Sequence, residues 1–200
     1  MTAPRLTSPD EIHAIPYNRA CDTLRHHIAL LQHRVAPTAT PPPADPIPPR
    51  HDPLLDALSF YLMAESRVVS YAAVVHLQIR HADETFWIAG LSCVATDPTF
   101  QGRGLGSRTV GAATRYIEHS TTDIGLFTCD PPLARFYAQA GTWPVAPEVI
   151  LIGSHDQRAF SSISLGKVVL LRLFSAKAQA AAARLRQTTI NLDLPVGQFL

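Results

Sequence analysis

Charge is what this chain has least of. Only 16% of its 200 residues are Asp, Glu, Lys or Arg, and 17 basic against 16 acidic side chains leave a formal net charge of +1. That balance builds no field to draw in nucleic acid or an anionic membrane, so neither partner is expected. The three cysteines, Cys21, Cys93 and Cys129, are odd in number and scattered. They form no disulfide framework and no metal-ligand spacing, which fits reduced thiols and no metal site. No apolar run approaches the ~18 residues that a membrane span needs. Met1-Thr2-Ala3-Pro4-Arg5 lacks the apolar core of a secretory signal, so a cytoplasmic location is the expectation.

What is present is apolar. At 46% hydrophobic content, the chain can bury a sizeable core in one domain. Residues 8–35 read as helical, with Ser8 and Asp10 as caps and Cys21, Leu24, Ile28, Leu31 and Val35 as an apolar stripe. His26, His27 and His33 fall on that helix without carboxylate or thiol partners and read as surface residues. From Pro37 to Pro53 come eight of the 17 prolines, including Pro41-Pro42-Pro43 and Pro48-Pro49. Such a stretch builds neither helix nor central strand and reads as an extended loop.

Strands are expected at 57–64 and 68–79, joined by a turn at Glu65-Ser66, and again at 87–95 after a loop at 81–85. Two strand–helix units follow, at 87–118 and 124–140. Late strands at about 146–152 and 167–174 are expected to close the sheet. An Ala-rich helix at 176–186 and a tail from Ile190 to Leu200 complete the chain. The organisation is therefore an N-terminal helical part (1–35), a proline-rich loop (36–53), a core (54–175) and a C-terminal helix and tail packed on it (176–200). Strands interleaved with helices give a mixed α/β sheet.

The densest signal is Gln101-Gly102-Arg103-Gly104-Leu105-Gly106-Ser107, between the strand at 87–95 and a helix carrying Leu105, Val110, Ala113 and Ile117. Glycines there let backbone N–H groups at a helix N-terminus approach an anion closely. Arg103 can add positive charge. The turn is not a P-loop, because no Gly-Lys-Ser/Thr follows, and the glycine spacing is not that of the dinucleotide fingerprint. It resembles the Q/R-x-x-G-x-G/A motif of the GCN5-related N-acetyltransferases, with Gln101, Gly104 and Gly106 in the three fixed places.

A second segment supports the resemblance. After a strand at 124–129, Asp130-Pro131-Pro132 suits a helix start and Gly141 its stop. The run from Asp130 to Trp143 is similar to the family's later motif, with Tyr137 and Gly141 at the expected spacing. Asp130, Leu133 and Thr142-Trp143 depart from the usual residues.

The resemblance implies a mostly antiparallel central sheet flanked by helices, with acetyl-coenzyme A at a splayed strand and the glycine turn. It implies contacts to the coenzyme from Val94, Ala95 and Thr96 and from Gln101, Gly102, Arg103, Gly104, Leu105 and Gly106. It also implies direct acetyl transfer to an amine, with Tyr137 as the acid that protonates the leaving thiolate. The base stays open among His76, Glu65, Asp97 and Asp130. Cys129 reads as a small buried residue rather than an acyl carrier.

Within the family, residues 57–200 look most like the aminoglycoside 2'-N-acetyltransferases. That likeness places Ser92, Cys93, Asp193 and Leu200 near the acceptor, the last through its terminal carboxylate. Ser92 and Gln198 stand where that subgroup carries acids, which weakens the hold on a polycation and leaves a smaller or less cationic amine open. A protein or peptide N-acetyltransferase and a non-catalytic acyl-coenzyme A module are the alternatives. Intact Gln101–Gly106 with Tyr137 argues against the last. The family resemblance also allows a homodimer.

Overall fold

A computed structural model of the chain describes residues 11–36 and 51–200; the expected caps Ser8 and Asp10 and the prolines of 37–50 lie outside the described residues. The chain first forms strand β1 (His13–Pro16), a 3-10 turn (Tyr17–Arg19) and helix α1 (Asp22–Val35). A single helix over 8–35 is therefore incorrect. Pro16 cannot sit inside a helix, and residues 13–16 instead pair antiparallel with β2 (Leu58–Ala64). The stripe was right in its inner part: Ile28 and Leu31 are fully buried, whereas Cys21 is the exposed residue before the helix.

β3 (Arg67–His81) and β4 (Glu84–Thr96) follow as long antiparallel neighbours. The two connecting turns use left-handed pairs, Glu65-Ser66 (φ 50° and 58°) and Ala82-Asp83 (φ 48° and 65°). Such pairs match the twist of a two-residue hairpin, which is why the expected loop at 81–85 tightens to two residues. Next come α2 (Leu105–Glu118), β5 (Ile124–Cys129), α3 (Ala134–Gly141), β6 (Val149–Ile152) and β7 (Val168–Leu173). The chain ends with α4 (Ala176–Ala180), α5 (Ala182–Arg186) and β8 (Thr188–Asn191).

Six strands form one sheet in the order β1-β2-β3-β4-β5-β7, antiparallel except for β4 beside β5. Both faces are covered, which is why the middle of β3 reads as a nearly continuous apolar run. Tyr71, Ala73 and Val75 join Ile28 and Leu31 of α1 in one core. Ala72 and Val74, one residue out of phase, join Val110, Ala113 and Ile117 of α2 and Tyr137 of α3 in the other.

Only one of the two late strands joins this sheet. β7 runs antiparallel to all six residues of β5, while β6 pairs in parallel with β8 as a separate two-stranded sheet. Only the first two residues of the segment read as a plain tail, Ile190 and Asn191, belong to a strand; residues 192–200 follow it without regular structure. Ile190, Leu192 and Leu194 alternate into the α1-side core with Val149 and Leu151. The helix expected at 176–186 is broken at Ala181 into α4 and α5.

β4 and β5 meet at only two rungs, Ile88 with Ile124 and Ala89 with Gly125. At Gly90 the strands nearly touch, since an added Cβ would lie 2.5 Å from the Leu126 carbonyl oxygen. Past that point β4 runs on to Thr96 without a β5 partner. The opened gap is where the site forms.

Candidate active site

The turn after β4 is anchored before it is shaped. Asp97 is 1% exposed, forms an ion pair with Arg34 of α1 (Nε at 2.9 Å) and accepts a charged hydrogen bond from Arg67 Nη1 of β3 at 3.0 Å. Its other oxygen accepts from Thr99 N at 3.0 Å and Thr99 Oγ1 at 2.7 Å, capping the 3-10 turn Pro98–Phe100. Burial alone would raise the carboxyl's pKa. The Thr99 hydrogen bonds and the Arg67 and Arg34 charges outweigh it and hold Asp97 below the usual carboxylate range.

From that anchor the chain turns through Gly102 (φ 73°) and Gly104 (φ 75°), both left-handed, and Gly104 serves as the N-cap of α2. Nothing lies within 4 Å of where a Cβ would stand on either residue. The first N–H groups of α2 have no partner inside the helix, so this end of the helix is suited to an anion. Thr109 Oγ1 lies 3.0 Å from the Leu105 carbonyl and 2.9 Å from Ser70 Oγ, which lies 3.0 Å from Thr96 Oγ1. That row of hydroxyls ties the helix start to both strands.

A cavity of about 480 Å³ opens against this turn. It is lined by Val94, Ala95 and Thr96 of β4 and by Gln101, Gly102, Gly104, Leu105 and Gly106. Sequence reasoning had grouped these eight residues. Arg103 stands outside the lining, its guanidinium 5.1 Å from the centre of the Phe100 ring. Phe100 and Ser107, Val35 at the end of α1, and Leu133 and Phe136 complete the walls with Tyr137. The first five were missed. Phe100 and Ser107 flank the motif closely enough to have been included, whereas nothing local marks Val35.

Tyr137 reaches the cavity from α3, 6% exposed, with ring contacts to Phe127 at 5.1 Å and Phe136 at 5.0 Å. Its hydroxyl makes no hydrogen bond with the described residues. Burial pushes the phenol well above its ordinary range, and Cys129 and Asp130 add to the shift. It is therefore a neutral donor at any physiological pH. Burial likewise pushes the Cys129 thiol up to about 11, with Asp130 adding to the shift, which keeps it protonated and un-nucleophilic.

Two features of the α3 segment differ from expectation. Asp130 makes no side-chain cap, and its carboxylate takes Lys167 Nζ at 2.6 Å instead. The left-handed residue ending α3 is Thr142 (φ 55°), not Gly141. Gly141 is required for space, because a Cβ there would meet the Thr114 hydroxyl and stand 2.6 Å from Trp143 Nε1. Trp143, fully buried, donates to Thr114 Oγ1 at 2.8 Å and fixes α3 to α2.

The other candidate bases stand apart from this cavity or are engaged. His76 pairs with Ala89, five residues along β4 from Val94 (roughly 16 Å), and packs on Tyr116. Glu65 pairs with Arg67 at 3.4 Å.

Of the four acceptor candidates, the structure brings three to the α1 face of the gap. Ser92 Oγ lies 3.6 Å from Cys93 Sγ on β4. Leu200 is buried in the α1-side core, its main-chain oxygen accepting from Thr128 Oγ1 of β5. Asp193 is exposed and accepts from the Asn191 side chain, outside that group. Gln198 Nε2 donates to Asp52 Oδ2 at 2.7 Å and fastens the tail. Among the described residues there is no cluster of His, Cys, Asp or Glu able to hold a metal. No helix among them is long and apolar enough to cross a membrane.

No curated protein matches the chain by sequence. Solved structures match by fold. Escherichia coli YhbS, a GNAT family N-acetyltransferase in complex with CoA, superposes with a TM-score of 0.60 at 15% identity, covering 96% of this chain and 93% of that one. Escherichia coli ElaA gives 0.55 at 13% identity, over 81% of this chain and 98% of its own. The ribosomal-protein-S18-alanine N-acetyltransferase of Escherichia coli gives 0.53 at 13%, over 82% and 95%. At these identities the likeness establishes the fold. Residues 28–142, more than half of the chain, match the Acetyltransferase (GNAT) family. The glycine cradle, the parted strands and that match lead to one conclusion: the chain belongs to the GNAT family of acetyltransferases and is an acyltransferase whose cosubstrate is acetyl-coenzyme A.

Proposed function

We propose that the protein acetylates a small-molecule amine of low positive charge by direct transfer, with Tyr137 as the general acid. The observation that carries the reading is the single cavity that joins Val94–Thr96, the glycine turn and Tyr137. The turn and the start of α2 hold the pyrophosphate, and Val94, Ala95 and Thr96 hold the arm that bears the thioester. The coenzyme supplies the activated acetyl group. Tyr137 Oη carries a proton that burial keeps in place, and it donates that proton to the departing sulfur. The surrounding apolar walls exclude water and strengthen that contact.

The acceptor enters from the α1 face, near Ser92, Cys93, Thr128 and Leu200. The charge pattern supports an amine with few other cationic groups. Asp97 is spent on Arg34 and Arg67, Asp130 on Lys167, and Asp193 is turned to Asn191, which leaves the Leu200 terminus, bound by Thr128 Oγ1, to meet a single ammonium. A polycation such as an aminoglycoside needs carboxylates that are not already paired. The acceptor's proton leaves to water at the open side.

The test is thiol release from acetyl-coenzyme A against monoamines, polyamines, aminoglycosides and short peptides. Turnover highest with a monoamine or other weakly charged small amine is the expected result. Turnover confined to aminoglycosides overturns the charge argument, turnover confined to peptides overturns the small-molecule reading, and coenzyme binding without turnover overturns catalysis itself.

A further inference from the structure

The last turn of α1 grips β4 at two points. Arg34 holds Asp97 after the strand's end, and Gln32 Nε2 donates to the Cys93 carbonyl at 2.6 Å across 61 positions of sequence. Between these grips lie Val94, Ala95 and Thr96, the strand residues that line the cavity.

Cys93 is strained. Its φ is 52°, in the left-handed region that a residue with a side chain rarely adopts. The register explains why. Tyr71 pairs with Ala95 and Ala73 with Ser92, so Cys93 and Val94 together face the single residue Ala72. β4 carries one extra residue here, a bulge. Neither bulged residue has a rung on β3, and β5 pairs with β4 only at Ile88 and Ala89. The peptide joining Cys93 to Val94 therefore sits inside the irregularity rather than at a regular rung.

That peptide is planar and trans, so its C=O and N–H point in opposite directions. A donor that fixes the Cys93 carbonyl toward α1 fixes the Val94 N–H away from α1, toward the side where Val94 lines the cavity. A primary amide suits the task. It donates without bringing charge into a half-buried place, whereas a carboxylate would repel the carbonyl and an apolar side chain would let the peptide turn.

We infer that Gln32 is a positioning residue: by holding the Cys93 carbonyl it aims the Val94 N–H at the thioester carbonyl of acetyl-coenzyme A. The inference rests on the transfer reading above. Gln32 touches no reacting atom, so its effect belongs in kcat rather than in coenzyme affinity.

The experiment is infrared difference spectroscopy of acetyl-coenzyme A labelled at the thioester carbonyl, bound to the whole protein, with kinetics and melting temperature measured alongside. In the wild type the carbonyl stretch falls below its free value. In Gln32→Met, which keeps the shape but removes the donor, the stretch moves back toward the free value. Its kcat drops about tenfold, less than the loss of an oxyanion donor itself would cost, and coenzyme affinity changes little. Gln32→Lys, which returns a donor, recovers part of both. A Gln32→Met protein with full shift and full kcat overturns the role. So does one that loses stability and affinity but keeps kcat at saturation, since Gln32 would then only support the fold. A wild type that binds with an unshifted carbonyl overturns the role while coenzyme binding stands. A wild type that does not bind acetyl-coenzyme A overturns the transfer reading first.

Discussion

On the α2 face of the β4–β5 gap, all the cavity walls except Val35 come from three short stretches, 94–96, 100–107 and 133–137. Much of what they offer a ligand is backbone, released by glycines at positive φ. On the α1 face, Gln32, Ser92, Thr128 and Leu200 come from four separate parts of the chain and offer side chains and a single main-chain terminus. The contrast matches the two jobs. Under the proposed function, a local backbone cradle holds the cosubstrate and separate side chains meet the acceptor.

The division can be broken by substitution, and the largest effect is expected from the one cavity wall assigned to the chemistry. Tyr137→Phe should lower kcat by about 10²–10⁴-fold, the usual worth of a general acid, while calorimetry finds coenzyme A binding unchanged. Equal turnover in the two proteins would remove Tyr137 from the chemistry.

Asp97 should report on the coenzyme side alone. Its carboxyl is held below its unfolded value of ~3.9, so its stabilisation is complete above that pH and is lost as the pH falls through the folded value. The wild type should therefore lose stability below about pH 4. Asp97→Asn should lack that part of the decline and be weaker at neutral pH by about 2 kcal/mol, a buried-pair value discounted because both arginines are partly exposed. Denaturant titrations across acid pH check the slope, and coenzyme affinity should fall with the turn's loss of anchorage.

The smallest change belongs to the acceptor face. Ser92→Glu should raise kcat/KM for a diamine over a monoamine roughly tenfold through one charge-assisted hydrogen bond, leaving coenzyme affinity as it was. A shift in coenzyme affinity instead would mean the two faces are not separate.

The same contrast decides what could be read from the chain without its fold. The glycine turn, the strand before it and Tyr137 lie on short, contiguous pieces whose glycine spacing and periodicity are visible. Gln32 offers no such sign. It is one polar residue beside an apolar stripe, and its role exists only because α1 crosses β4 at the bulge. β8 was missed for a related reason: four residues pairing with β6 have too little alternation to announce themselves. His13–Pro16 went wrong because a helix-like stripe downstream was extended past a proline. Asp130 precedes the turn that leads into α3 and Gly141 ends the helix, as expected, but neither is held there by local capping alone. Lys167 reaches Asp130 only through the fold, and Trp143 crowds Gly141 because it turns back to donate to Thr114 of α2.

Gly90 gives the opened sheet the character of a zipper. Behind it the teeth of β4 and β5 are engaged, ahead of it they are parted, and a single absent methyl, which would stand 2.5 Å from the Leu126 carbonyl oxygen, lets the slider rest there. Any side chain at that position would force the closed end apart rather than widen the mouth. Each residue by which the parting point moved along the strand would change the depth of the slot by ~3.3 Å, about the length of two or three bonds of the arm it receives.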